Sequence, residues 1–426
     1  MVRENYDIVI VGFSIAGSIA AKFAVENNAS VLVLEAKSDI GENTIKSYQG
    51  LQNLLTKENV LEYFKKMGIN IKPQREYNCC KIYFPPNIMT EIAFKRPIGY
   101  SIVRGNKVNS IDNLLAYQAI NSGADVIYKS RFINFDGRKK IIFKHNNKIK
   151  KVRAKIIIGA DGVNSRVAKL SGLANEPLVK AIGFGYHFTK VTDIDSGKVE
   201  GFLGQNIAPG EYAYIVPYKN EATIVTTLRP HMMRNGMKIK DYYKNFIKLP
   251  IVQKKLKFAK KLNVVSGTVS VKPLRSIVKD NIILVGDAAR LTEPLLGFGI
   301  KNAILSGKIA GKTASRIINE DKLTGKDLEK NIISYEKEIK SILFKDLKKR
   351  LKFRKVYETI NDHEMGDLIQ LAKELTAGID LNKMFETRET KSIKIKALKV
   401  LKDPYKIRLF LKYFLPAIRA NYSFRN

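Results

Sequence analysis

The sequence predicts an α/β fold: a parallel-sheet domain interleaved with an antiparallel β-rich domain, followed by a helical C-terminal extension. Three observations carry this expectation. Between Tyr6 and Leu34 the chain reads strand, small-residue turn, helix, strand. Between Ala181 and Val271 aromatic and β-branched residues alternate with turn residues, as in Phe184-Gly185-Tyr186-His187-Phe188 and Tyr212-Ala213-Tyr214-Ile215-Val216. Beyond about residue 325 the pattern becomes helical, lysine-rich and amphipathic.

Taken in order, Tyr6–Val11 is a nearly continuous apolar run, as a strand buried on both faces requires. A helical stretch from Ile15 to about Asn27 ends at Asn27-Asn28, and Val31–Leu34 is the next strand. Residues 36–75 read as mixed and helical. From Cys79 to Tyr100 short β-type segments are interrupted by prolines. Ile111–Asn121 is helical and stops at Gly123. Val126–Ile158 reads as strands with a hairpin at His145-Asn146-Asn147. The Ala181–Val271 sheet carries a helical insertion over Met232–Leu256, and Ile282–Val285 is a further buried strand before a helix from about Ile300 to Ile318.

Length and composition agree with this organisation. At 426 residues and 48.1 kDa the chain is too long for one core and suits two or three. A hydrophobic fraction of 45% with 27% charged residues is that of a soluble globular protein and excludes disorder as the main state. The two cysteines, Cys79 and Cys80, are adjacent. That excludes a disulfide framework, a four-thiolate zinc site and a cysteine-ligated iron–sulfur cluster, so no metal is expected. It fits a reducing, cytoplasmic setting. Neither a secretory signal nor a membrane-spanning apolar stretch is visible. The net charge of +35 favours polyanions: nucleic acid, anionic lipid headgroups or a phosphorylated substrate. No nucleic-acid-binding signature is present, and nucleic acid is not expected as a partner.

Three segments carry chemistry. Gly12-Phe13-Ser14-Ile15-Ala16-Gly17 sits between a strand and a helix, where a dinucleotide fingerprint belongs. Gly12 permits the tight turn, Gly17 permits close helix–strand packing, and the helix N-terminus faces a pyrophosphate. Ser14 replaces the usual second glycine. Glu35, ending the second strand, suits the hydroxyls of an adenosine ribose and would repel a 2′-phosphate. The second segment is Ile156–Arg166, with Asp161 and Gly162. The third, Asn281–Ala289, contains Gly286 and Asp287 and continues through Pro294 to Gly297-Phe298-Gly299-Ile300. Each presents a carboxylate at the C-terminal edge of a strand, and the last adds a helix N-terminus suited to an electron-accepting ring.

These three motifs, in this order, resemble the FAD-dependent group that includes aromatic hydroxylases, halogenases and geranylgeranyl reductases, over about residues 1–320. The resemblance implies a Rossmann-like FAD-binding domain. It is similar in particular to the archaeal geranylgeranyl reductase branch: Pro209-Gly210-Glu211-Tyr212-Ala213-Tyr214-Ile215-Val216-Pro217 resembles its Pro-Gly-Gly-Tyr-aromatic segment, and Leu305-Ser306-Gly307 also matches. Gly99–Arg104 with Asp112 resembles its arginine segment, placing Arg104 near the flavin or pyrophosphate. A family cysteine is absent from Gly41–Ser47, and Arg290 and Phe298 stand where the family often has small residues.

The resemblance implies hydrogenation of geranylgeranyl chains on an ether-lipid precursor by reduced FAD. It implies a Rossmann-like FAD-binding domain over 1–75, 101–180 and 276–325, a substrate domain over 76–100 and 181–275, and a helical extension over 326–426. Its FAD contacts are expected from Gly12, Ser14, Ile15, Ala16, Gly17, Glu35, Arg104, Asp161, Gly162, Gly286, Asp287, Pro294, Gly297, Phe298, Gly299 and Ile300. Phe184, Tyr212, Tyr214 and Pro217 are candidates to line a substrate tunnel, and His187 and Tyr214 to donate a proton; each is also an ordinary core residue type. Partners implied are an isoprenoid lipid, an external electron donor (ferredoxin or reduced nicotinamide) and a membrane surface contacted peripherally. The run Ile407–Arg419, with Arg408, Lys412 and Arg419 on one side, suits either an interfacial helix or a core-capping one. A flavin hydroxylase acting on an aromatic or polyprenyl substrate is the alternative, and a basic polyanion- or membrane-binding protein with structural FAD a third. The absence of tryptophan disfavours a halogenase.

Overall fold

A computed structural model describes residues 3–42, 48–53, 58–85, 88–137, 139–320, 325–377 and 403–414. Three sheets organise them. In the first, of eight strands, Asn5–Val11 lies between Lys148–Gly159 and Val31–Leu34, with Ile282–Leu284 and Asp125–Ile127 outside these, all parallel. Ile8, Ile10, Ile156 and Ile158 are fully buried. Burial on both faces is why these strands read as unbroken apolar runs. The antiparallel strands Lys140–His145 and Ser130–Phe135 extend one side. Asn146 and Asn147 form the expected hairpin turn at φ +45° and +66°.

The helices Ile15–Val25 and Ile300–Asn319 pack on one another beside this sheet. They approach through small residues. A Cβ on Gly307 would lie 2.4 Å from the Ala16 carbonyl oxygen, and one on Gly311 would lie 2.4 Å from that of Ala20. Ser306 Oγ also accepts a hydrogen bond from Gly286 N at 3.0 Å, tying the turn after Ile282–Leu284 to the second helix. Both helix N-termini therefore meet at the C-terminal edge of the parallel strands, where α/β folds bind ligands.

The second sheet has seven strands in the order Lys260–Ser270, Lys180–Thr189, Glu221–Leu228, Ala213–Tyr218, Lys198–Phe202, Cys79–Phe84, Ile88–Ala93. One pair, Lys198–Phe202 with Cys79–Phe84, is parallel and the rest are antiparallel. One face is covered by Tyr243, Phe246 and Val252 from the helices Ile239–Ile247 and Pro250–Leu256. The expected insertion at 232–256 is thus two helices, because Pro250 cannot continue the first and starts the second. Residues 36–75 also depart from the helical reading. They hold the short helix Val60–Lys65 and the strands Tyr48–Gln52 and Arg75–Tyr77, which pair on either side of Gly99–Val103. The polar sequence of Tyr48–Gln52 has no strand signature, and its conformation comes from that pairing.

Beyond residue 325 the described chain is helical: Gly325–Ile339 runs through a π-type turn at Lys340–Phe344 into Lys345–Glu358, followed by Asp362–Thr376 and Pro404–Leu409.

Candidate functional site

A cleft of about 620 Å³ opens at the C-terminal edge of the parallel sheet. Gly12 begins it at φ +103°, where a Cβ would stand 2.6 Å from the Ala160 carbonyl oxygen. A Cβ on Gly17 would collide with the Gly12 oxygen at 2.0 Å. No side chain fits this turn at either position. Ser14 is the N-cap of the helix Ile15–Val25. Its Oγ accepts from Gly17 N at 3.4 Å and donates to Ala160 O at 3.0 Å, so the hydroxyl turns back into the turn. The remaining amides of the first helical turn are left for an anion.

At the next strand end Glu35 is held by its neighbours. Its Oε2 accepts from Phe13 N at 2.7 Å and its Oε1 from Lys37 N at 2.9 Å, with the carboxylate at the cleft wall. Arg104 forms a two-pronged pair with Asp112, Nε–Oδ2 at 2.8 Å and Nη2–Oδ1 at 3.0 Å, and donates to Gln49 through Nη1. Asp112 also accepts from Gly105 N at 2.9 Å. The charge pair fixes the arginine at the cleft.

At the far end Asp287 accepts the Thr292 hydroxyl at 2.7 Å. Burial pushes its carboxyl above the usual range, against the pull of the Arg104 charge. A Cβ on Gly299 would stand 3.4 Å from Asp287 Oδ1, and Gly297 takes φ +75°. Gly299 caps the helix Ile300–Asn319 without a side-chain bond, leaving its first-turn amides open.

Ile15, Ala16 and Gly162 complete the lining among the expected cofactor residues. Asp161 also lines it, but its oxygens cap the helix Arg166–Leu170, accepting from Ser165 Oγ at 2.5 Å, Arg166 N at 2.7 Å and Val167 N at 3.0 Å. It shapes the wall rather than offering a free carboxylate. Gly17, Gly286, Pro294 and Phe298 lie outside the lining and shape the turns behind it. Arg290, at φ +56°, turns away and donates to the Pro177 and Glu176 carbonyls. Of the stretch Gly41–Ser47, which lacks the family cysteine, Gly41 lines the cleft and residues 43–47 lie outside the described residues. Sequence reading missed Gln49, Lys37, Arg131, Thr292 and Val269 at the cleft. Thr292 could have been found as a hydroxyl one turn after Asp287; Gln49 sits on a strand that only its partner defines.

The substrate candidates divide between the two faces of the seven-stranded sheet. Tyr212 pairs across to Thr227, Thr227 to Gly183, and Gly183 to Gly267; Tyr214 pairs to Val225 and to Gly201. This face looks toward the cleft, because Tyr212 Oη donates to Leu296 O at 2.6 Å and Val269 lines the cleft. Cβ atoms built on Gly201 and Gly267 meet nothing within 4 Å. Phe184 and Pro217 are corrections. Phe184 lies on the opposite face against Tyr243 with ring centres 5.5 Å apart, and Pro217 shares that face with Ala213 and Ile215, which pack under the covering helices. Strand alternation puts odd and even residues on opposite sides, and that parity separates them.

His187 has both ring nitrogens engaged, Nδ1 with Thr223 Oγ1 at 3.1 Å and Nε2 with Glu221 Oε2 at 2.9 Å, and it does not line the cleft. Burial lowers its pKa more than Glu221 raises it. Tyr214 Oη has no protein partner among the described residues, and burial pushes its pKa up to about 12. Burial likewise raises both thiols, Cys80 to about 12, so they remain protonated and unreactive.

The C-terminal helices close over this region. The buried Arg354 pairs with Glu211, donates to Leu295 O at 3.0 Å and lies 3.3 Å from Glu358. The buried Arg229 bonds Glu358 at 2.7 Å. Leu409 and Tyr413 pack against Leu368, Leu371 and Leu375, while Lys406 and Lys412 pair with Glu374 and Glu364, each at 2.7 Å. The described part of Ile407–Arg419 is therefore a capping element on the helix Asp362–Thr376; residues 415–419 lie outside the described residues.

A parallel sheet with a glycine turn, a glutamate at the end of the next strand and a second helix N-terminus on one cleft defines a dinucleotide-binding fold. The chain belongs to the family described as FAD binding domain, whose model matches residues 5–312. It is 28% identical to digeranylgeranylglycerophospholipid reductase of Methanocaldococcus jannaschii over 94% of this chain and 98% of the relative. With the enzyme of the same name from Methanosarcina acetivorans it shares 31% identity, over 88% and 90%. Its fold is similar to a solved geranylgeranyl bacteriochlorophyll reductase-like protein from Thermoplasma acidophilum, with a TM-score of 0.76, 26% identity and coverage of 96% and 99%. The residues fit FAD. The Gly12 turn cannot hold a side chain, and the half-buried Asp287 carboxylate at the cleft has one protein donor, leaving acceptor capacity for a sugar-alcohol hydroxyl.

Proposed function

We propose that this protein is an FAD-dependent reductase that saturates carbon–carbon double bonds of geranylgeranyl chains on an ether-lipid precursor. The observation that carries the reading is the sheet face bearing Gly201 and Gly267, where a Cβ would meet nothing within 4 Å, beside Tyr212 and Tyr214 and tied through Tyr212 Oη to the turn that enters the Gly297–Ile300 end of the cleft. Glycines and aromatic rings suit contact with a polyprenyl chain, and the near-full-length relatives carry the reductase name.

Bound reduced FAD would supply the hydride that adds to one alkene carbon. Glu35 would hold the adenosine ribose, the first turn after Ser14 the pyrophosphate, and Asp287 the ribityl hydroxyls. The amides after Gly299 would stabilise negative charge on the ring system. Tyr214 Oη, whose burial keeps it protonated, would deliver the proton to the second alkene carbon. Closure by Arg354 and the helix Lys345–Glu358 would exclude water from that space. An external donor, ferredoxin or reduced nicotinamide, would restore the reduced flavin. No described helix is long and apolar enough to cross a membrane, and we assign the enzyme to the cytoplasmic membrane surface as a peripheral protein.

Anaerobic incubation of the dithionite-reduced holoprotein with geranylgeranylated glycerophospholipid tests this by mass spectrometry. A gain of two hydrogens per bond is expected; an unchanged lipid that gains oxygen only in air would replace the reading with a hydroxylase.

A further inference from the structure

In the C-terminal run Lys412 is paired with Glu364, and Lys406 just before it with Glu374. A different corner has the required chemistry. Residues 238–261 carry nine lysines and a single acid, Asp241. They form the helices Ile239–Ile247 and Pro250–Leu256 and lead into the edge strand Lys260–Ser270. On the same corner three large apolar side chains stand in solvent: Phe258 at 61% exposure, Leu262 at 56% and Val264 at 57%. Lys257, Lys260 and Lys261 interleave with them and have no ion-pair partner among the described residues; Lys257 and Lys261 lie over the Phe258 and Tyr186 rings.

From this juxtaposition we propose that the Phe258–Val264 corner is the membrane-docking surface, inserting Phe258, Leu262 and Val264 at the headgroup boundary of an anionic bilayer while the lysines contact its phosphates. The inference rests on the lipid-reductase reading for its purpose, not for its physics. Unpaired lysine with exposed aromatic and aliphatic side chains is the composition of an interfacial anchor. Each lysine near an anionic surface adds attraction of the order that makes a cluster decisive. A second copy of the chain is the less suitable occupant. His187 faces Asn263 and Phe188 faces Lys261, so Leu262 is an extra, bulged residue in the edge strand. A bulge together with like-charged lysines is how an edge strand resists pairing. The same strand continues inward to Val269 at the cofactor cleft, so docking would set the cleft at a fixed height above the lipid.

The test uses the full-length holoprotein and sedimentation with vesicles of phosphatidylcholine, alone or with phosphatidylglycerol. The chain has no tryptophan, so Phe258→Trp provides a lone reporter. We expect binding to the anionic vesicles only, a blue shift of the Phe258→Trp emission, and quenching by brominated acyl chains. The Lys257→Ala, Lys260→Ala, Lys261→Ala triple variant should partition at least tenfold more weakly. Phe258→Ser with Leu262→Ser should lose binding while keeping the wild-type melting temperature and bound flavin. Wild-type partitioning by both variants would overturn the proposal. So would an emission shift that follows protein concentration without lipid, which would make the corner a self-association surface. Equal binding to RNA and to vesicles, unaffected by the serine changes, would also overturn it. Turnover of a detergent-dispersed substrate should be unchanged in these variants. Loss of turnover in the wild type under every presentation would defeat the reductase reading alone, leaving the vesicle result to stand by itself.

Discussion

The Tyr212 hydroxyl donates to the Leu296 carbonyl oxygen at 2.6 Å, joining the antiparallel sheet to the turn that enters Gly297–Ile300. One side chain thus spans the two parts of the molecule that must cooperate, the sheet that would hold a substrate chain and the turn that would back a flavin. Tyr212→Phe should cost about 1 kcal/mol of stability, the worth of one hydrogen bond. Its kcat/KM for lipid should fall further than its affinity for FAD. Thermal melts alongside steady-state kinetics check this; a uniform loss in both would reduce the bond to a packing role.

Glu35 is the carboxylate expected to hold the ribose, already oriented by the Phe13 and Lys37 amides. Glu35→Ala removes a charged acceptor, and FAD should dissociate roughly ten- to a hundredfold more readily. Recovery of flavin fluorescence on dilution measures it. The KM for lipid should not move.

Tyr214→Phe should retain full flavin content and lose about a hundredfold or more in kcat, as for removal of a general acid. A loss below threefold would assign the proton to solvent instead.

The phenols of Tyr77, Tyr83, Tyr128 and Tyr214 are each raised to about 12, mainly by burial. In the unfolded chain a phenol titrates near 10. Between these values the unfolded state has released protons that the folded state retains, so stability falls as pH rises from about 10 through 12. Denaturant melts from pH 8 to 12 should be flat below 10 and decline above it.

Arg354 is buried among Glu211, Glu358 and the Leu295 carbonyl. Arg354→Met should destabilise by about 3–5 kcal/mol, because it removes the near partner of the buried Glu211 carboxylate, while Glu358 keeps Arg229. Adding Glu211→Gln should recover part of that loss, since it removes the stranded charge. Urea unfolding of the single and double variants gives the coupling.

How much of this was legible in the sequence follows from the range of the interactions. The parallel strands, the Gly12–Gly17 turn and the helix Ile111–Asn121 are set by local patterning and burial on both faces, and they stand where the residues indicated. Tyr48–Gln52 was not legible, because its strand conformation comes from pairing with Gly99–Val103, about fifty residues away. At the site, the cleft gathers residues from separate motifs as expected, yet Asp161 spends its oxygens on a helix cap that spacing alone does not reveal. Phe184 and Tyr212 both looked like tunnel residues. Only the register of the strands shows that they face opposite ways. Glu211 replaces a glycine of the resembled segment, and its reason lies in Arg354, 143 positions along the chain.

The most direct test of the account is the absorbance of the bound flavin under strict anaerobiosis. The holoprotein is reduced with one equivalent of dithionite and mixed with geranylgeranylated glycerophospholipid. The account predicts return of the oxidised flavin spectrum in step with saturation of the lipid, and a much slower return in Tyr214→Phe. A flavin that stays reduced with lipid and reoxidises only when oxygen is admitted would contradict it.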